Sequence, residues 1–361
     1  LGIYRFWQVT AKRHYYWSST SVDGDALEYS GTAVQLLVGF LIALTFFLPL
    51  YVLFFYLSTQ APEYVLYGYA AAAAFLYFLA GYASYRARRF RLSRTFWRGI
   101  RFGQSGNAWG YAFRRFFWSI LVVLTAGLAY PFMSASLWRY RYAHTWYGDR
   151  QFAFAGNWRT VAAPFYIDYL LMIALVAGAT FLVAQSGAST DAAGGTAALL
   201  SIPILLVGGL VYVHLKARFT SRFLSTVTAG RAALRVRLKA RSFVWMYLFY
   251  AFLFALVSGI FGVVVAVFFN EFMGPLLAEQ ELELAQIAQL GWANLAAIGL
   301  IYLALLAAYG ALAETVLGLG YWRMVVRATQ IENADDLKSV KAHGDESPLT
   351  GEGLADALNV G

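Results

Sequence analysis

The chain has 361 residues, 60% of them apolar and only 13% charged, with a formal net charge of +9 and a mean hydropathy of +0.56. Soluble chains carry about 25% charged residues, and disordered chains lack this much apolar surface, so both classes are excluded. With no cysteine, disulfide scaffolds, thiolate metal sites and cysteine nucleophiles are excluded as well, which leaves a multi-pass helical membrane protein.

A spanning helix needs roughly 20 mostly apolar residues. In chain order the candidates are Ala33–Tyr56, Val65–Tyr85, Pro164–Ala184, Ala197–Val213, Phe243–Phe269 and Trp292–Leu317. None alternates in polarity, which argues against β-barrel strands. A shorter apolar stretch, Phe116–Phe132, follows Arg114 and Arg115 directly. At about 1.5 Å per residue it reaches only about 25 Å.

The bases set the topology. All 28 Lys and Arg lie in residues 1–31, 86–115, 134–160, 216–241 and 322–361. The connections 57–64, 185–196 and 270–291 hold no base and carry Glu63, Asp191, Glu271, Glu279, Glu281 and Glu283. Lys and Arg beside span ends mark the cytoplasmic side. The five basic segments are therefore expected inside and the three acidic connections outside. Six spans satisfy this only if Phe116–Phe132 does not cross. It is expected to be re-entrant or to lie in the membrane plane, broken at Gly127 and Pro131; a seventh crossing is the alternative.

The basic segments resemble one another. Residues 1–31 contain Leu1-Gly2-Ile3-Tyr4-Arg5-Phe6, Thr20, and Gly24-Asp25 leading to Leu27, Tyr29 and Gly31. Residues 126–156 contain Gly127-Leu128-Ala129-Tyr130-Pro131-Phe132, Thr145, and Gly148-Asp149 leading to Phe152, Phe154 and Gly156. Arg86 to Thr95 is echoed by Arg218 to Thr226, and Gly318 to Trp322 repeats the opening. This predicts a direct tandem duplication. A direct repeat keeps its orientation only if its period holds an even number of crossings, which again leaves Phe116–Phe132 uncrossed. The same logic predicts a hydrophobic segment before Leu1.

The run from Leu92-Ser93-Arg94-Thr95 through Gly103, the Gly-Asp-x-x-Phe-x-Phe-x-Gly element at Gly148 and the tail Gly351–Leu358 are similar to the YjgN-like family. The resemblance covers essentially the whole chain. It implies a bacterial inner-membrane location and a multi-pass architecture, and it brings no activity and no site residues.

The expected fold is an all-α polytopic bundle. Residues 1–106 form a first repeat, 107–241 a second, 242–321 a C-terminal pair of spans and 322–361 a mobile cytoplasmic tail. Leu27–Ser30, Ile100–Phe102, Phe152–Phe154 and Leu234–Leu238 alternate in polarity. They form either a small cytoplasmic sheet or connectors lying on the membrane.

No phosphate loop, His-Glu-x-x-His or Gly-x-Ser-x-Gly occurs, and His14, His144, His214 and His343 are scattered. No metal, cofactor, nucleic-acid or catalytic role is therefore assigned. Asp168 and Glu314 lie within spans but close to their cytoplasmic ends, where they are expected to reach the interface. Gly24, Asp25, Gly148 and Asp149 read as turn residues, with a ligand role as the alternative. Arg86, Arg88, Arg89, Arg91, Arg94 and Arg98, with Arg218, Arg222, Arg235 and Arg237, lie in segments free of acid. They are expected to hold anionic phospholipid, either as a topological anchor or as a phosphate pocket built by both loops. The segment 270–291 reads as an amphipathic surface helix and Gly351–Leu358 as a docking peptide. Two functions remain: a non-enzymatic scaffold or accessory subunit with a membrane-protein partner, and a permease or flippase-like handler of a lipid or other amphiphile.

Overall fold

The structure, a computed structural model, describes residues 2–60, 65–185, 190–272 and 292–342. Glu63, Glu279, Glu281, Glu283, most of the segment 270–291, and Gly351–Leu358 lie outside the described residues.

Four hairpins alternate with pairs of helices. Helix α1 (Tyr4–Ser18) leads to β1 (Ser21–Val22) and β2 (Asp25–Tyr29). Helices α2 (Ala33–Gln60) and α3 (Val65–Ser93) follow, then β3 (Thr95–Trp97) and β4 (Ile100–Gln104). Next come α4 (Ala108–Leu124) and α5 (Tyr130–Ala143), with β5 (Thr145–Tyr147) and β6 (Arg150–Phe154). Helices α6 (Trp158–Gln185) and α7 (Thr190–Leu224) lead to β7 (Val227–Ala229) and β8 (Ala232–Val236). After α8 (Ala240–Phe272) the chain is described again from α9 (Trp292–Leu312), which runs through a π-helical segment (Ala313–Gly318) into α10 (Leu319–Ala328). Strand β9 (Thr329–Glu332) and a 3-10 turn (Ala334–Ser339) follow.

Six helical stretches are long and apolar enough to cross a membrane: Ala33–Leu57, Val65–Ser93, Arg159–Gln185, Leu199–Leu224, Ala240–Val267 and Ala296–Ala328. At most 19% of any of their apolar windows is buried inside the protein. A soluble core helix hides its apolar side chains; these expose them all round, as lipid-facing helices do. The chain is thus a multi-pass helical membrane protein, with spans where the sequence puts them.

The sheet is larger than the sequence suggests. Each predicted strand is present, and each is paired with a partner of two or three residues too short to show periodicity. All nine strands join in chain order, antiparallel throughout, as a half-barrel meander. The all-α expectation is corrected accordingly: the helices carry a continuous sheet. Each hairpin turns on two residues. In the first two, both turn residues have positive φ (Asp23 +51° and Gly24 +89°; Arg98 +51° and Gly99 +71°), the backbone that matches strand twist.

The register puts apolar side chains on one face. Leu27 opposes Trp97, Phe102 opposes Tyr147, Phe152 opposes Ala229 and Leu234 opposes Ile331. Glu28, Arg101, Gln151 and Arg235 alternate onto the other face.

Phe116–Phe132 does not form one helix. Helix α4 ends at Leu124, Ala126 and Gly127 take φ of +48° and +98°, and α5 starts with Pro131 in its first turn. Hydroxyls from α6 hold the reversal: Tyr169 donates to the Ala126 carbonyl (2.7 Å) and Tyr166 to that of Leu128 (3.0 Å). Strands β4 and β5, which flank this excursion, pair with each other. The segment therefore goes out and comes back.

The described chain falls into two units. One holds the whole sheet with α1–α6 and most of α7. The other holds α8–α10 with Tyr212–Ala217; in it Tyr309 stacks on Phe254 (4.4 Å) and hydrogen-bonds Ser258 (2.7 Å). Glu314 lies there, half-buried in the π-helical segment, and Asp168 is buried in α6.

The tail is corrected over its first half. Residues 319–328 are helical and 329–332 complete the sheet. Residues 334–341 form a strap across the hairpin turns. Leu337 and Val340 drop onto Trp97 and Tyr147. Asp336 accepts from Arg150 (2.8 Å) and from the Arg231 amide (2.9 Å), while Lys338 pairs with Asp335 and, at 3.8 Å, with Asp23.

Candidate functional site

The arginines named from the sequence divide into two sets. Helix α3 ends in Arg86, Arg88, Arg89 and Arg91, with Arg94 just beyond, all half-buried. Arg88 sits at the centre. Its Nη1 donates to Gln104 Oε1 (3.2 Å), the Arg141 carbonyl (3.3 Å) and Thr145 Oγ1 (3.1 Å), and the guanidinium faces the Tyr142 ring at 4.8 Å. One side chain thereby ties α3 to β4, α5 and β5. Other arginines also lie on rings: Arg114 over Tyr140 (5.0 Å), Arg141 over Trp138 (5.2 Å), Arg115 over Tyr77 (4.7 Å) and Arg94 over Phe90 (5.6 Å).

This changes the reasoning about charge. Segment 86–115 has no acid, yet its cations rest on ring faces, each worth about 0.5–2 kcal/mol. Donors remain. The Nε atoms of Arg89, Arg94 and Arg141 are buried with no acceptor. Buried donors nearly always find one, so this cluster is short of acceptor atoms.

Other arginines are neutralised by acids distant in sequence. Arg98 is exposed and pairs with Asp25 and with Asp23 (3.1 Å). Arg235 pairs with Glu332 (2.8 Å). Arg222 donates to the Thr160 carbonyl on α6 (3.0 Å), and Arg218 and Arg237 are exposed. Arg88 engages β4, α5 and β5, Arg94 lies over Phe90, which packs with Phe6, Tyr29 and Leu36, and Arg222 engages α6.

The glycine–aspartate pairs are turn residues, but they occupy different steps. Gly24 is the second residue of its turn and Gly148 the first of its own, with φ of +89° and +54°. Matched by hairpin, Asp25 therefore corresponds to Arg150, not to Asp149. Asp149 docks the strap: its Oδ1 accepts from the Lys341 amide (3.1 Å), and its own amide donates to the Lys341 carbonyl (3.0 Å). A Cβ on Gly148 would overlap the Lys341 carbonyl and Val340. Gly148→Val is expected to release the strap, so that limited proteolysis cuts within 333–342 at least tenfold faster than in wild type, while Gly24→Ala, which meets no neighbour, leaves that rate within twofold.

The strap and the sheet border a partly open apolar pocket of about 250 Å³, lined by Val22, Leu27, Phe102, Phe152, Ala229 and Leu337 among others. Tyr147 contributes its ring only. Its hydroxyl donates to the Trp97 carbonyl (3.0 Å), and burial pushes its pKa up to about 12, so it stays protonated. The charge reading of the sequence could not find this cavity. Its signal is a pattern across hairpins, with alanine in the fourth where tryptophan and tyrosine stand in the second and third.

No curated protein and no solved structure matches the chain. A family model described as bacterial protein of unknown function (DUF898) matches residues 1–357. That match agrees with the resemblance carried by the Leu92–Gly103 run and the Gly148 element, and the chain belongs to this family of bacterial proteins.

Proposed function

We propose that this protein is a non-enzymatic scaffold of the bacterial inner membrane, built by tandem duplication, with its sheet on the cytoplasmic side. The observation that carries the reading is the β4–β5 ladder. A transporter that rocks one repeat against the other needs a seam that can open. Here the two proposed repeats are joined by backbone pairing of Phe102–Gln104 with Thr145–Tyr147 and by the Phe102–Tyr147 ring contact at 4.6 Å. Each ladder hydrogen bond contributes about 0.5–1.5 kcal/mol net, and all would break together. Spin labels at Leu57 on α2 and Phe181 on α6 test this by pulsed dipolar spectroscopy. One narrow distance distribution in lipid nanodiscs is expected. Two populations exchanging with conditions would replace the scaffold by an amphiphile permease.

The positive charge of the sheet side supports the orientation, since all 28 bases fall on segments that flank or form the hairpins. The acceptor-poor arginine cluster around Arg88 supports anionic phospholipid as a partner. Phosphate oxygens supply the acceptors that Arg89, Arg94 and Arg141 lack. Native mass spectrometry is expected to show a fixed number of retained phosphatidylglycerol or cardiolipin molecules, reduced in Arg88→Gln/Arg91→Gln. A broad lipid distribution that ignores those substitutions would leave the arginines as a topological anchor alone.

A further inference from the structure

The four hairpins place equivalent side chains on the apolar face. The last residue before the turn is Val22, Trp97, Tyr147 and Ala229 in succession, and the first after it is Asp25, Ile100, Arg150 and Ala232. The fourth hairpin thus carries alanine at both positions where the second carries tryptophan and isoleucine. Both alanines are buried, at 4% and 3% exposure. The small side chains leave space there, and the partly open 250 Å³ pocket lies between the fourth hairpin, Phe152, Ile331 and Leu337.

The chemistry of the lining is narrow. Apart from the Thr228 hydroxyl and the engaged Tyr147 hydroxyl, the side chains around it carry only hydrocarbon or indole. Water needs two to four polar partners and finds few on this lining, whereas an apolar cavity of about 150 Å³ already takes benzene. A polar ligand would lose its hydrogen bonds on entry. Several charged groups at the turns are matched by acids of the turns and strap: Arg98 with Asp23 and Asp25, Arg150 with Asp336, Lys338 with Asp335, while Arg231 gives its backbone amide to Asp336. The same unit carries the membrane-length helices α2, α3, α6 and α7, so hydrocarbon chains are the apolar molecules richest in its surroundings.

We propose that this cavity binds the unbranched hydrocarbon tail of a single-chain amphiphile. At roughly 30 Å³ per water-sized group it has room for about eight carbons. The site reads the tail and is indifferent to the head. This does not rest on the scaffold reading, because a platform and a permease can each hold such a ligand.

A decanoic acid bearing a terminal diazirine tests it on the full chain in nanodiscs. Probe dissolved in the bilayer labels the spanning helices and serves as an internal control. Peptide mapping is expected to show additional, saturable label within 227–234 and 331–337, competed equally by decanoate and decanol. Ala229→Phe fills the cavity and is expected to reduce that label at least tenfold, with the span label unchanged. Should Ala229→Phe fail to fold, the milder Ala232→Val is expected to reduce it severalfold at unchanged Tm. Label confined to the spans in wild type, or lining label untouched in a folded filling variant, overturns the proposal. Competition by decanoate alone overturns the tail-only reading in favour of a charged headgroup site.

Discussion

Trp97→Ala is expected to lose about 3–5 kcal/mol of stability, the range for removing a buried large aromatic side chain. Trp97 is 2% exposed. Its ring meets Tyr147 at 5.4 Å, its Nε1 donates to the Val22 carbonyl (3.2 Å), and it carries the Arg98 guanidinium at 4.5 Å. One truncation therefore removes contacts to the first hairpin, the third and the strap together. Denaturant titration in detergent, followed by far-ultraviolet circular dichroism and by proteolysis of the sheet, measures the loss. Trp245→Ala provides the contrast: that side chain is 60% exposed on α8, and its loss is expected to stay within about 0.5 kcal/mol, as for a surface change. Equal losses in the two variants would show that the sheet does not carry the stability of its unit.

Single cysteines are expected to label from one side only wherever they sit at a hairpin or the strap. Ser19, Arg231 and Ser339 are exposed there, on a cysteine-free background. Strands that share hydrogen bonds cannot lie on opposite sides of a bilayer, so each helical excursion between them makes an even number of crossings. For α4 and α5 the expected number is zero. The two helices reach about 25 and 21 Å, short of the roughly 30 Å hydrocarbon core. Helix α5 also carries Arg139 and Arg141. Val123 and Leu124 at the tip, 78% and 77% exposed, are expected to sit in lipid and to label from neither side. Labelling of Leu124→Cys from outside, with Ser19→Cys labelling from inside, would falsify this topology.

The spans were legible because lipid imposes a rule that needs no partner: about twenty apolar residues in a row, wherever the rest of the chain goes. The bend at Gly127 and Pro131 was legible for a similar reason, since both act on the local backbone. The second strand of each hairpin showed through alternation, as in Ile100-Arg101-Phe102. The first strands did not, because two or three residues such as Ser21–Val22 cannot display a period. The strap was hidden among charges, its two anchors Leu337 and Val340 being isolated apolar residues in a polar tail. Arg98 looked unpaired because its acids are distant, Asp25 being 73 residues away, while Arg88 and Arg94 rest on ring faces that a count of charges does not register. The cavity is the least legible feature. Ala229 and Ala232 become informative only when set against Trp97 and Tyr147 in the aligned hairpins.

The sheet is ordered as the chain is made. Every strand pairs with the one before it, and β9 and the strap are the last described pieces to leave the ribosome. Until they arrive, the apolar face over Trp97 and Tyr147 stays open to solvent, and the first hairpin lacks the Lys338–Asp23 contact made by residues more than three hundred positions later. A chain interrupted before residue 329 would insert all its spans and still present an uncovered greasy sheet with a bare edge at β8. Partly finished chains of this kind are what aggregation and proteolytic surveillance act on. Closure by the strap thus comes only after all nine strands have been made, from a segment more than three hundred residues beyond the hairpin that receives it.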